Sequence, residues 1–449
     1  MTRCVNDRED AVAPVRPLEV DSVERVLLVN HWHDDNKGDS AITLASIDLV
    51  EQRWPGAHVT VASMLGERDE TFSRAFRHVA AARPDVDVVP SLVASLGSSG
   101  ERPSVVSTLR WCGSLAFDAV GIAMGRPRRD LREALASTDR LVLIGGSNLF
   151  DSGRIGFLGT FRLLQCALPA IAARRMGVSY ALFGHTLGPA NTLPGRSLLR
   201  RLVRGASMVV VREAVSEQFV RETLGIDPVE NLEVAPDVAF VTKPADSDVV
   251  RALIGAPSSG LQNQVTPNGL GPGILVPRSH PYNHGAADDR LVAEMILLGR
   301  QALDSNTVGV ILVFAQCLGP TAIEDDRGIA RCVAEGDARF RLIDDDLSPG
   351  EVAQLFSLSA FVVSVRLHAV ILALAVGTPV HAIEYFTSKT RGVLISVGLS
   401  DHWSTFEGFD GLAAFRSLVE LMAEHDRDDL TSLAATTAAK VRKVGNALP

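Results

Sequence analysis

Cysteine is scarce in this chain, and the five present, Cys4, Cys112, Cys166, Cys317 and Cys332, are scattered, odd in number and without C-x-x-C spacing. They suggest neither a disulfide framework nor a zinc site, and a reducing cytoplasm is the compartment they fit. No uninterrupted apolar run is long enough to span a bilayer, because the best candidate, Ala369 to Ile383, is broken by Gly377 and Pro379. The opening MTRCVNDREDAVAPVRP lacks the apolar core of a signal peptide. Basic side chains are outnumbered, 44 against 53 acidic, giving a formal charge of -9. That balance argues against a sequence-independent grip on nucleic acid and leaves an anionic ligand dependent on a local basic pocket. There is no GxGxxG fingerprint, P-loop, GxSxG elbow or HExxH helix. Asp85-Val86-Asp87 has a D-x-D form but falls where a strand is expected. Helix starts and solvated turns account for Asp325-Asp326 and Asp344 to Asp346. No metal site is assigned.

What is present is apolar and regularly patterned. Hydrophobic residues make up 46% of the 449 positions and charged residues 22%, enough to build cores for two domains. Beyond a disordered tail over 1–20, short Val- and Leu-rich runs alternate with stretches of helical period, the signature of βα units around a parallel sheet. Val23 to Val29 predicts a strand, Asp39 to Trp54 a helix and His58 to Met64 the next strand; Leu141 to Gly146, Ser179 to Gly184 and Met208 to Arg212 continue the series. A Gly-, Pro-, Ser- and Asn-rich stretch separates these from a second set, Ile274 to Pro277, Gly309 to Ala315, Arg339 to Asp344, Phe361 to Val365 and Pro379 to Tyr385. The expected architecture is α/β: a Rossmann-like domain over 21–245 on the acceptor side, a linker over 246–273, and a second Rossmann-like domain over 274–449 on the donor side, ending in helices. Two such domains face each other across a cleft at the carboxyl ends of their strands. The segment Pro103 to Asp130 is less regular, with Trp111, Phe117 and Met124 on a helix that runs into GRPRR. It reads either as a packed helix with a solvated basic end or as an element facing a membrane or an acceptor.

The chemistry concentrates at strand ends. After the buried run Phe361 to Val365, Arg366 and His368 stand where a helix begins, so a cation and an imidazole join the positive end of a helix dipole. Phosphate or carboxylate suits that position; the alternative is an Arg366 paired with a neighbouring carboxylate and a His368 satisfied in the core. Glu384, Tyr385 and Lys389 follow the next strand. The turn after the first strand carries Asn36, Gly38 and Asp39, where Gly38 permits a tight turn and Asp39 can cap the helix. His31 and His33 fit loop positions there. Gly145 and Gly146 follow another strand and let a backbone approach a ligand, His185 follows the next, and Arg212 ends a fourth, as a surface ion pair or an anion contact.

In order along the chain these segments are N-x-G-D at Asn36 to Asp39, Gly-Gly with Leu-Phe at Gly145 to Phe150, G-x-x-x-G-P at Gly184 to Pro189, and R-E-x-x-S at Arg212 to Ser216. P-D-x-A-F follows at Pro236 to Phe240, R-L-H-A at Arg366 to Ala369, and Y-x-x-x-K at Tyr385 to Lys389. The series resembles the polysaccharide pyruvyl transferases, with Gly145-Gly146-Ser147 where the family often has three glycines and an apparent insertion over Ser258 to Gly273. The resemblance implies a GT-B-like fold, phosphoenolpyruvate as co-substrate without a further cofactor, and a sugar diol of a polysaccharide or glycolipid precursor as acceptor, joined as a cyclic ketal. It also implies donor contacts from Arg212, Arg366, Tyr385 and Lys389, catalysis by His368 with Arg366, and a cleft lined by Asn36, Gly38, Asp39, Gly145, Gly146 and His185. A cytoplasmic enzyme meeting a lipid-linked acceptor at the inner face of the membrane follows. The same cleft would serve a glycosyltransferase using a nucleotide sugar, or a non-catalytic glycan-binding protein.

Overall fold

Parallel strands covered on both faces need apolar side chains at successive positions, and in RVLLVNH, Arg25–His31, every residue after Arg25 is buried. The computed structural model, which describes residues 24–98, 104–151, 157–227, 230–255, 271–280, 285–385 and 389–449, makes this strand β1. The tail over 1–20, and positions 256–270 of the expected linker, lie outside the described residues. Strands β2 to β9 are His58–Ser63, Asp87–Val89, Arg140–Leu143, Leu149–Asp151, Ser179–His185, Leu187–Ala190, Met208–Val211 and Leu232–Val234. Strands β10 to β15 are Gly273–Val276, Ile311–Phe314, Phe340–Ile343, Phe361–Ser364, Val380–Glu384 and Trp403–Thr405.

Two parallel sheets result. The first runs β3-β2-β1-β4-β6-β8-β9 and the second β12-β11-β10-β13-β14-β15, while β5 and β7 pair as a small third sheet. Each large sheet therefore reverses its winding once, between β1 and β4 and between β10 and β13. Open α/β sheets bind ligands beyond the carboxyl ends of their strands at such switch points.

Five helices matter for the site: α1 (Lys37–Arg53), α2 (Val105–Ala123), α3 (Phe157–Arg175), α4 (Leu367–Ala375) and α5 (Arg427–Gly445). Helix α1 starts at Asn36, whose side chain accepts a hydrogen bond from the Gly38 amide at 3.1 Å. Asp39 is thus not the cap. It sits in the first turn and accepts from Asn36 Nδ2 at 2.7 Å. Just upstream, Asn30 takes a left-handed conformation (φ 80°), and the pairing of β1 with β2 shifts register between Val29 and His31. A bulge of this kind re-aims the residues that follow it. His31 ends β1 and His33 lies in the loop after it, and both are buried: His31 bridges Thr43 Oγ1 and the Ala75 carbonyl, each at 2.8 Å, and the Asp35 amide donates to His33 Nδ1 at 2.9 Å.

The two halves are sewn together next to this turn. Asn36 bridges Cys317 in antiparallel fashion, the Leu318 amide donates to the Asp35 carbonyl at 3.0 Å, and Asp346 receives Lys37, Arg77 and His78. Burial alone would raise the Asp346 pKa, but the hydrogen bonds from His78, Arg77 and Lys37 outweigh it and hold the carboxyl far below its ordinary range. One apolar core runs across the seam, joining Ile42 and Phe240 of the first half to Val370 and Leu374 of the second. Helix α5 spans both halves: its start packs Thr431 against Gly377, and its end packs Gly445 against Leu49.

Candidate active site

The loops that leave the two switch points enclose a cavity of about 430 Å³. From the first half come Trp32, Asn36 and Asp39 after β1, Gly146 and Ser147 after β4, Arg162 and Gln165 from α3, and Arg212 after β8. The second half supplies Arg278 after β10, Gln316 and Glu324 after β11, Arg366 and His368 after β13, and Tyr385 and Lys389 after β14. Five cationic side chains, Arg162, Arg212, Arg278, Arg366 and Lys389, therefore share one space with the carboxyls of Asp39 and Glu324.

Two of these cations, Arg212 and Arg366, are each oriented by a carboxylate behind them. Arg212 is buried, donating Nη1 to Asp237 at 2.5 Å, Nε to Thr186 Oγ1 at 2.8 Å and Nη2 to Ser147 Oγ at 3.0 Å. A surface pair is excluded by that burial. Asp237 belongs to the P-D-x-A-F segment, and its other oxygen accepts from the Ala239 amide at 2.9 Å, capping a short turn whose Val238, Ala239, Phe240 and Val241 are all buried. Arg366 grips Asp326 with Nε at 2.9 Å and Nη2 at 2.6 Å, and Nη2 also reaches the Glu324 carbonyl at 2.7 Å. Such forked pairs fix a guanidinium plane. Arg278 donates to the Tyr385 hydroxyl and lies over its ring, 4.5 Å from the centroid. Lys389 Nζ donates to Ser147 Oγ at 2.9 Å, so Ser147 links the two anion-facing cations.

Three buried polar atoms of cavity residues have no hydrogen-bond partner: His368 Nε2, Arg278 Nε and Gln316 Oε1. Buried polar atoms are rarely left so, and a cluster of them marks a place built for a ligand. His368 Nε2 lies 3.8 Å from Asp237 Oδ2, beyond hydrogen-bond reach, so His368 is not a satisfied core histidine, whereas Arg366 is indeed paired. The imidazole rests on Gly38, where a Cβ would come within 2.2 Å of His368 Nδ1. Gly146 likewise makes room for Arg212, a Cβ there meeting Nη1 at 2.9 Å. Gly38→Ala is expected to displace His368 and cost about 1–3 kcal/mol of stability by overpacking, read as a lower denaturation midpoint with unchanged slope.

The shared burial tunes the ionisable groups. Burial pushes the Asp39 carboxyl up to about 8, helped by Glu324 and Asp34 and opposed by Arg212 and Arg366. Burial pushes His368 down to about 4; Asp237 opposes this, and Arg212, Arg366 and Lys389 add to it. Lys389 is pushed down to about 8 by burial and by Arg212. At neutral pH these shifts favour a protonated Asp39 carboxyl and a neutral His368 imidazole.

Asn36, Asp39, Gly146, Arg212, Arg366, His368, Tyr385 and Lys389, singled out in the sequence, meet in this cavity. Three others do not line it. Gly38 lies under His368; Gly145, at φ 128°, serves the turn; and His185 is fully buried with Nε2 on the Leu143 carbonyl at 2.9 Å. Asp237, Ser147, Arg162, Arg278, Gln316 and Glu324 were not singled out. Arg278 carried the signal that drew attention to Arg366, a basic residue just past a buried strand. Among the described residues no group of three or more His, Cys, Asp or Glu side chains is placed to hold a metal ion.

The sequence profile of the polysaccharide pyruvyl transferases matches residues 36–387, which is most of the chain and contains every residue of the central cluster except Trp32 and Lys389. The chain belongs to that family. The fold of this family member is GT-B-like and similar to solved structures of sugar-nucleotide enzymes. The UDP-GlcNAc 2-epimerase from Methanocaldococcus jannaschii aligns at 10% identity over 94% of this chain and 99% of that one, TM-score 0.55. UGT71G1 of Medicago truncatula, solved with UDP-glucose, aligns at 10% identity over 95% and 98%, TM-score 0.54. At such identity the likeness is one of fold. In the family member described here, the R-L-H-A and P-D-x-A-F segments converge on one point, since Arg366 and His368 come from the first and Asp237 from the second.

Proposed function

We propose that this family member transfers the pyruvyl group of phosphoenolpyruvate to two hydroxyls of a polysaccharide or glycolipid-precursor sugar, forming a cyclic ketal. The observation that carries the reading is the collection of five cations around a cavity with unpartnered polar atoms. It suits a small ligand with both a phosphate and a carboxylate. Arg212, Arg366, Lys389 and Arg278 hold these two anions, with Tyr385 fixing Arg278. The uncharged His368 hydrogen-bonds through Nε2 to the donor or to the attacking hydroxyl.

The reaction needs a proton on the methylene carbon of phosphoenolpyruvate, and Asp39 is its source, since it lines the cavity and keeps its proton at neutral pH. Protonation leaves the adjacent carbon electron-poor, and a sugar oxygen bonds to it while its own proton passes to Glu324. The carbon–oxygen bond to phosphate then breaks, with the Glu324 proton leaving on phosphate and the surrounding cations stabilising the charge. A second sugar hydroxyl closes the ring, and its proton restores Asp39. No further cofactor enters this scheme.

Phosphoenolpyruvate should raise the thermal midpoint of the purified protein in proportion to occupancy, and Lys389→Ala, which removes a side chain whose hydrogen bond among the described residues goes to Ser147, should abolish the rise. Phosphate release on adding a sugar diol would complete the assignment. A rise with a nucleotide sugar and none with phosphoenolpyruvate would sink it in favour of glycosyl transfer; glycan binding without phosphate release from any donor would point to a non-catalytic protein.

A further inference from the structure

Helix α2 is apolar on two opposite sides, and only one of them is packed. Trp111, Leu115 and Ile122 are buried, with Trp111 against Phe161 of α3 at a ring separation of 6.0 Å. Val105, Val106, Leu109, Phe117, Val120 and Met124 are exposed, Val105 and Phe117 each at 76%. At about 100° per residue these six fall within roughly 120° of arc, facing away from the buried set. Among the described residues α2 is the one helix long and apolar enough to cross a bilayer by length and composition, although the strongest apolar run in the sequence lies elsewhere. Its fixed contact with α3 is that of a helix lying along a surface.

The charge around the stripe identifies what covers it. In a chain of formal charge -9, the segment from Ser104 to Arg129 carries Arg110, Arg126, Arg128 and Arg129, all exposed, against one acidic residue, Asp118, which is buried, accepts from the Ala94 amide at 2.8 Å and lies 3.7 Å from Arg128, while Arg129 pairs with Glu133 at 2.8 Å. Arg110 and Arg126 make no ion pair among the described residues. A second copy of the chain meeting this face would bring arginine against arginine with no exposed acidic side chain on the helix to answer. An apolar stripe flanked by arginines matches an interface of acyl chains under anionic headgroups.

We propose that α2 docks the protein on an anionic lipid surface, with Phe117, Val120 and Met124 inserted and Arg110, Arg126 and Arg128 at headgroup level. The neighbouring α3 lends Arg162 and Gln165 to the cavity, so docking brings the site near the membrane, where an acceptor carried on a lipid would be found. The proposal stands whether or not the donor is phosphoenolpyruvate.

The test is co-sedimentation of the full chain with phosphatidylcholine vesicles, with and without phosphatidylglycerol. Binding is expected only to the anionic vesicles, and each basic side chain near such a surface strengthens it about fivefold, so Arg110→Gln with Arg126→Gln should weaken it about 25-fold. Phe117→Ser with Val120→Ser should remove it, leaving the thermal midpoint and turnover on a soluble acceptor as they were. Absence of vesicle binding overturns the proposal, as does equal binding to neutral vesicles that the arginine variant retains. So does a concentration-dependent dimer, without vesicle binding, that Phe117→Glu dissolves.

Discussion

Asp39→Asn is expected to slow pyruvyl transfer by about 10²–10⁴-fold, the range for losing a positioned acid, while phosphoenolpyruvate still raises the thermal midpoint. Asparagine has the same shape and can still accept from Asn36 Nδ2, so the start of α1 is preserved. What it cannot do is give up a proton. The pH profile separates this from a packing effect. Asp39 is pushed up to about 8, so wild-type activity should fall as pH rises through that value, and the limb attributable to Asp39 should be missing in the variant. Lys389 loses its charge over the same range, which is why donor binding must be followed separately. A variant that turns over at the wild-type rate would place the proton on another group.

The second large effect is a steep loss of stability on mild acidification. His33, His185, His368 and His381 are all pushed down to about 4, chiefly by burial. Their folded pKa values lie below the unfolded 6.5, so these groups cost nothing above about pH 6.5. As pH falls toward 4 the unfolded chain takes up protons that the folded one refuses. Asp39 works against them, because its folded pKa exceeds the unfolded value and the native state holds the extra proton. His31 and His402 are shifted with the four, and Asp326, Asp48 and Glu384 with Asp39, leaving a net loss on the order of 3 kcal/mol per pH unit between roughly pH 6 and 4.5. Against total stabilities of order 5–15 kcal/mol, that is a large share of the whole, so the denaturation midpoint should drop steeply over this range. Denaturant midpoints measured every half unit would show it; a flat profile would mean that water reaches these imidazoles.

The fold was legible because parallel strands buried on both faces write themselves as continuous apolar runs. Leu141 to Gly146 and Phe361 to Val365 need no partner in the sequence to be recognised. Short strands at the edges, such as Leu232–Val234 and Trp403–Thr405, carry no such run, and pairing alone makes them strands. Arg366 and His368 were legible by their place at a strand end. His185 had the same placement and proved buried, because whether a strand-end side chain turns toward the cleft depends on the next turn, here the glycine at φ 73° just before it. Asp237 was visible as part of a motif but mute as chemistry, since its task is to hold Arg212, which arrives from another strand. The proton on Asp39 was the least legible of all. It depends on Glu324 from the other half of the molecule and on a burial that exists only once the halves have closed.

The chain itself crosses that seam twice. The chain passes from the first half to the second through the segment after Val241, and it returns along α5, where Arg53 Nε donates to the Leu448 carbonyl at 2.9 Å. Because one apolar core also runs across the seam, any rotation of one half against the other has to break that core as well. Swinging open would part Asn36 from Cys317 and Lys37 from Asp346 and draw Arg212 away from Arg366 and His368. The anion-facing cluster is therefore whole only while the two halves stay joined.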